Sequence, residues 1–156
     1  MIAGIDVGHR NVVIAYKKNN RIKFIKVRRE IENDKTAYSI LEKFIQNGIS
    51  EVAIENPEIL KKDALKDKSG ESYERLKDII SFLEKLKEIL EFSRIKVILV
   101  SPRKTDHICP ICKEEIRTGA FHYLYCPKCD IAINRDEIAS WNVLRRGEKI
   151  KVVANG

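Results

Sequence analysis

No apolar run in this chain approaches the ~18 residues that span a bilayer, so a membrane helix is not expected. The N-terminus, Met1-Ile2-Ala3-Gly4-Ile5-Asp6, lacks a basic lead-in, and its apolar stretch is too short for a secretory signal. A cytoplasmic protein with no membrane partner follows. Methionine and glutamine occur once each, beside abundant Lys, Glu and Ile. That scarcity of thermolabile residues is the bias of proteins from hot environments, so a thermophile is the expected source. There is no internal repeat and no low-complexity segment. With 44% hydrophobic and 34% charged residues, disorder is excluded as well. The length of 156 residues suits one core, with room for a small metal-held insert.

What is present is a modest basic excess. Lys and Arg number 30 against 23 Asp and Glu, a net charge of +7. Four thiolates around one Zn²⁺ would lower it by about 2. Such a balance favours a polyanionic partner without specifying one.

Hydrophobic patterning gives the element order. Residues 2–7 read as a buried strand with one acid in it, followed by a turn at Gly8 to Asn11. Strands over 12–16 and 21–27 flank the hairpin signal Lys17-Lys18-Asn19-Asn20. Asp34 is the expected cap of a helix over 35–46, with Tyr38, Ile40, Leu41, Phe44 and Ile45 at helical spacing and Gly48 as its stop. Val52 to Glu55 reads as a short buried strand. The charged stretch 58–71 reads as a frayed connection. A long helix over 72–92 carries Leu76, Ile79, Ile80, Leu83, Leu86 and Leu90 on one face. A fifth strand covers 95–100. A final helix over 134–146 is ended by Gly147, leaving 149–153 as a loose tail or a short strand. Strands 1, 4 and 5, joined through helices, should be parallel. This is the layout of a ribonuclease H fold, although other α/β folds share the order.

Cys109-Pro-Ile-Cys112 and Cys126-Pro-Lys-Cys129 are two C-x-x-C pairs separated by thirteen residues. Two knuckle turns of this kind bring four thiolates to one tetrahedral Zn²⁺. Disulfides and an iron–sulfur cluster are the competing readings, and a cytoplasmic setting disfavours the first. A four-cysteine site is closed, hence structural, and the insert around it is too small to fold without metal. His107 and His122 flank the cluster as surface or neighbouring residues.

Three acids stand out. Asp6 interrupts an apolar strand, Glu55 ends another, and Asp136 lies in the first turn of the last helix. If strand 4 lies beside a central strand 1, Asp6 and Glu55 are neighbours and Asp136 can reach them. Converging carboxylates repel, and Mg²⁺ or Mn²⁺ would relieve that repulsion. Singly, each acid also suits a plain role: turn residue, solvated strand end, helix-start charge.

In combination the residues resemble a family. Gly4-Ile5-Asp6-Val7-Gly8 is similar to the first motif of RuvC-like nucleases, and Ala53-Ile54-Glu55-Asn56-Pro57 to the second. Thr105, the paired cysteines, Asn134-Arg135-Asp136, Ala139 and Asn142 resemble the zinc ribbon and closing motif of transposon-encoded TnpB proteins. Asn134 stands where the family usually has an acid, and Trp141 where it usually has a smaller residue. The resemblance implies Asp6, Glu55 and Asp136 as the Mg²⁺- or Mn²⁺-binding catalytic triad and Cys109, Cys112, Cys126 and Cys129 as zinc ligands. It implies a core over 1–105, a zinc ribbon over 106–133, and a closing helix with a basic tail over 134–156. The sequence starts at the first catalytic strand, so a solo catalytic core on the scale of a junction resolvase or ribonuclease H is expected.

Nucleic acid is the expected partner, with DNA preferred over RNA or a hybrid. Lys17, Lys18, Arg21, Lys23, Lys26, Arg28 and Arg29 form a run of cations without an acid. Arg103 and Lys104 precede the ribbon, and Arg145, Arg146, Lys149 and Lys151 follow the third motif. Such residues hold phosphates without reading sequence. A lysine-rich edge strand that resists aggregation is the bland alternative for the first run. Phe121, Tyr123, Tyr125 and Trp141 offer aromatic faces. The expected function is an endonuclease acting on single-stranded or branched DNA. A symmetric junction cutter would need two active sites, hence a homodimer. The alternatives are an inactive nucleic-acid-binding protein that keeps the fold, and a zinc-ribbon adaptor acting through protein contacts.

Overall fold

The computed structural model describes residues 1–66, 70–102, 107–118 and 123–155. Three strands open the chain as an antiparallel meander: β1 (Ile2–Val7), β2 (Asn11–Lys18) and β3 (Arg21–Arg28). Asn19 and Asn20 both have positive φ, the backbone of a tight two-residue hairpin turn that matches strand twist. Then come α1 (Asn33–Asn47), β4 (Glu51–Glu55), α2 (Pro57–Ala64), α3 (Gly70–Phe92) and β5 (Lys96–Val100). The sheet order is β3-β2-β1-β4-β5, with β1–β4 and β4–β5 parallel, as helical crossovers require. This five-stranded mixed sheet is ribonuclease H-like.

Strand alternation sorts the faces. Ala3, Ile5, Val52 and Ile54 pack with Ile40 and Phe44 of α1 and Leu83, Leu86 and Leu90 of α3. Ala53, Ile98 and Val100 pack instead with Val143 of the last helix, α4 (Arg135–Asn155). Asp6 shares its parity with Gly4, and Glu55 with Ala53, so both acids belong to the α4 face. That face is floored by small residues. A Cβ on Gly4 would lie 2.3 Å from the backbone nitrogen of Leu144, so α4 sits against the central strand at a distance only glycine permits.

A second sheet joins β6 (Arg117–Thr118), β7 (Tyr123–Cys126) and β8 (Ile131–Asn134), and β8 runs directly into α4. No helix among the described residues is long and apolar enough to cross a membrane.

Several local expectations fail for identifiable reasons. Residues 57–64 are helical and not frayed, because Asn56 accepts from the Glu58 N–H at 3.0 Å and Pro57 fills the first turn. Helix α1 begins at Asn33 after Glu32, which makes no side-chain cap, so Asp34 is a first-turn acid. Its buried face is Thr36, Ala37, Ile40 and Phe44, while Tyr38 and Ile45 are exposed. The last helix does not stop at Gly147. It passes through this buried glycine to Asn155, and the expected tail or strand is helix. Gly147 serves close packing on β4: its Cβ would lie 2.4 Å from the Cβ of Ala53.

Candidate active site and metal centre

Asp6 and Glu55 stand at the C-terminal ends of adjacent parallel strands, half-buried and on the same face. On its other side the end of β4 is tied to β5 by the Asn56 N–H, which donates to the Val100 carbonyl at 2.8 Å. Asp136 arrives from the opposite direction. Asn134, the last residue of β8, accepts from the N–H groups of Asp136 at 2.9 Å and Glu137 at 3.4 Å, so it caps α4. The departure from an acid at this position is thereby explained, since Asn and Asp cap equally well. Asp6, Glu55 and Asp136 line one cleft of about 320 Å³.

Sequence reasoning missed two further residues of this cleft. Asp63, from the unexpected helix α2, lines it, and so does Arg135 beside Asp136. The signal for Asp63 was present: Asn-Pro after a strand is a cap followed by a first-turn proline, which starts a helix. Leu60, Leu76 and Ile79 give the cleft an apolar wall. Arg146 approaches from behind. Its Nη1 donates to the Ser101 carbonyl at 2.6 Å, and burial pulls its pKa below the usual guanidinium range while the Glu55 carboxylate acts in the opposite sense.

The donor set is made of carboxylate oxygens, which suits hard cations such as Mg²⁺ or Mn²⁺ and not zinc. The cysteines form the contrasting set. The four Sγ atoms of Cys109, Cys112, Cys126 and Cys129 all lie within 4.8 Å of one another, with Cys112–Cys126 at 3.4 Å and Cys109–Cys129 at 3.9 Å. Tetrahedral Zn–S bonds of about 2.3 Å demand S···S distances near 3.8 Å, so the cluster can hold a structural zinc. All four are free of disulfides. The two knuckles share one construction. Lys113 N–H donates to the Cys109 carbonyl and Asp130 N–H to the Cys126 carbonyl, both at 2.8 Å, and both donors have positive φ. The Cys129 backbone N–H, 3.5 Å from the Cys126 sulfur, holds that thiol down to about 7, whereas burial pushes Cys129 up to about 12. Asn142 anchors the ribbon to α4 by donating to the Ile108 carbonyl at 2.7 Å.

The cations expected to meet phosphate separate into groups. Lys18, Arg21 and Lys23 are exposed on the hairpin, as are Lys26 and Arg28. Lys17 is paired with Glu148 at 2.9 Å. Arg29 is not available: its side chain is 6% exposed, pairs with Asp78 at 2.7 Å and lies over the Phe82 ring at 4.7 Å. Arg145 and Arg146 are half-buried on α4, and Lys151 pairs with Glu51. Arg103, Lys104, Thr105, Phe121 and His122 lie outside the described residues.

Comparison with known proteins accords with this architecture. Residues 81–143 match the family model described as Cas12f1-like, TNB domain. A TnpB-like protein of Methanocaldococcus jannaschii is 36% identical over 61 residues, covering 38% of this chain and 15% of that protein. A second TnpB-like protein of the same organism is 27% identical over 56 residues, covering 36% and 20%. The matched stretches thus span a fifth or less of these relatives' length. A chain of the Cas12f1–sgRNA–target DNA complex, solved by cryo-EM, superposes with a TM-score of 0.66 at 19% identity, over 92% of this chain and 49% of that one. This last likeness is one of fold. Fold and cysteine centre define the class, a ribonuclease H-like sheet carrying a zinc-ribbon-like module. Within that class the chain is similar to TnpB-like proteins over little more than a third of its length.

Proposed function

We propose that this protein is a metal-dependent endonuclease that hydrolyses phosphodiester bonds in single-stranded or branched DNA. The reading divides the chain into a catalytic core over 1–105, a zinc ribbon over 106–133 and a closing helix over 134–156. The observation that carries it is the meeting of Asp6, Glu55 and Asp136 on one cleft. These acids come from the first strand, the fourth strand and the last helix. A fold has little reason to gather carboxylates there unless a cation offsets their repulsion. Resemblance to TnpB-like proteins, and to a Cas12f1 chain solved with guide RNA and target DNA, supports nucleic acid as the partner.

Asp6, Glu55 and Asp136 would hold Mg²⁺ or Mn²⁺, which supplies an activated water on one side of the phosphate and stabilises the leaving oxygen on the other. Asp6, on the central strand, would supply a ligand together with Glu55 and Asp136. The Asn134 cap fixes the first turn of α4 and with it the direction of Asp136. Arg135 lies where it can meet the phosphate, and Arg146 balances the acid charge behind Glu55. Lys18, Arg21 and Lys23 hold the nucleic-acid backbone further out.

The test is cleavage of labelled single strands, duplexes, flaps, four-way junctions and RNA–DNA hybrids with Mg²⁺ or Mn²⁺, beside Asp6→Ala. Cutting of single strands or junctions by the wild type alone is expected. Equal cutting by both proteins, or none by either, defeats the reading.

A further inference from the structure

Away from the acid cleft, a groove of about 660 Å³ runs between the β2–β3 hairpin, the C-terminal half of α4 and the first zinc knuckle. Its floor is apolar: Trp141, Ile111, Val152 and Val153 line it, and the last three are exposed by 51%, 70% and 75%. Its cationic wall is Arg145 and Lys149. Both also line an adjoining depression with Lys113 and Arg146, so positive charge continues from the groove along α4. Trp141 is held from beneath by Phe24, edge to face at 6.3 Å between centroids. Lys17, across the groove, is occupied by Glu148.

Exposed aliphatic side chains and an anchored indole flanked by unevenly placed cations fit a ligand that is apolar on its faces and anionic along one edge. A duplex hides its base faces and offers only phosphates, sugars and base edges. A second copy of this chain, itself carrying +7, would bring cation against cation. A single strand has both faces and phosphates, the pairing used by stacking platforms for unpaired nucleic acid. Arg145 follows Asp136 by nine residues on the same helix, about 13 Å along its axis. Nine residues are also about two and a half turns, so Arg145 and Asp136 leave opposite sides of α4, and the groove is a site separate from the acid cleft.

We propose that this groove binds unpaired nucleic acid, with a base stacked on Trp141 and adjacent phosphates on Arg145 and Lys149. The proposal rests on the nuclease reading only in taking nucleic acid as the partner, and it makes the bound segment single-stranded at this point.

The chain's single tryptophan is also the probe. Zinc-loaded protein, in buffer without Mg²⁺ or Mn²⁺, is excited selectively at Trp141 and titrated with three ligands. These are an eight-nucleotide oligothymidylate, an abasic octamer of equal charge and a blunt duplex. Quenching by oligothymidylate alone is expected, with the abasic octamer binding about tenfold more weakly, the worth of one stacked base. Labelled oligothymidylate should bind Trp141→Leu about tenfold more weakly, and Val152→Asp more weakly as well. Equal affinity for the abasic octamer, equal quenching by the duplex, or no quenching overturns the proposal. So does self-association abolished by Val152→Asp in a protein that oligothymidylate fails to quench, which would assign the groove to protein contact. The two claims fail separately. Quenching without Mg²⁺-dependent cutting removes the nuclease and leaves the groove, and cutting without quenching does the reverse.

Discussion

Gly147 of α4 lies directly over Ala53 of β4, so close that a Cβ on the glycine would come within 2.4 Å of the alanine Cβ. This contact, with Gly4 under Leu144, brings the last helix down onto the two strands that carry Asp6 and Glu55. The glycine that looks like a helix stop in the sequence is a packing residue in the middle of a helix.

Substitution of Gly147 by Ala should therefore destabilise the protein. Overpacking costs about 1–3 kcal/mol, more than the ~1 kcal/mol that Ala gains over Gly in a helix. Pairing it with Ala53→Gly should recover stability relative to the single variant, because the clash is between these two side chains. Thermal or urea unfolding of the two singles and the double variant checks this. A Gly147→Ala protein more stable than wild type would mean the helix stands off the sheet.

Asn134 caps the helix that carries Asp136. Asn134→Ala should cost about 1 kcal/mol and loosen the first turn, whereas Asn134→Asp should be neutral in stability. Urea midpoints and amide exchange at Asp136 and Glu137 read both effects. Equal behaviour of the Ala and Asp variants would remove the cap from the account.

Zinc removal should act locally. Among the described residues of the ribbon, Cys109, Cys126 and Leu124 are buried. Chelation should release one zinc per chain and collapse the amide dispersion of residues 107–134. The five-stranded sheet, with its own core on both faces, should keep its signals. Cobalt substitution should give the spectrum of a tetrahedral thiolate site. A metal-free protein with unchanged ribbon signals would contradict the assignment.

Glu51 at the start of β4 accepts from Lys151 near the end of α4 at 2.7 Å, and this bond holds its carboxyl below the ordinary 4.5. A depressed folded-state pKa stabilises the fold above the unfolded value, and that stability is lost as pH falls through the folded one. Glu51→Gln should thus cost about 1 kcal/mol at neutral pH and nothing once the wild-type residue is protonated. Melting curves from pH 7 down to pH 3 should converge for the two proteins. A constant gap over that range would deny the ionic contribution.

Strand order, the buried meander and the cysteine pairs are legible in the sequence because each rests on local spacing. Asp6 stands out because an acid in an apolar strand is costly wherever the strand lies. The alternation that puts Asp6 on the Gly4 face is equally local. What stayed hidden depends on tertiary contact. Gly147 has the composition of a C-cap, and only the approach of β4 makes it a contact. The charged composition of 58–71 conceals Asn56-Pro57, and with it the helix that delivers Asp63. Arg29 looks like the other hairpin cations, and nothing local reveals its burial under α3 by Asp78 and Phe82. Tyr38 and Ile45 fit a helical period yet lie beyond the edge of the buried stripe of α1.

The central claim is that Asp6, Glu55 and Asp136 hold divalent ions together. Mn²⁺ binding to the zinc-loaded protein, followed by electron paramagnetic resonance, tests it without reference to any substrate. The account predicts that Asp6→Asn, Glu55→Gln and Asp136→Asn each weaken Mn²⁺ binding at least tenfold while leaving the fold and the zinc intact. Binding as tight as wild type in all three variants would contradict it.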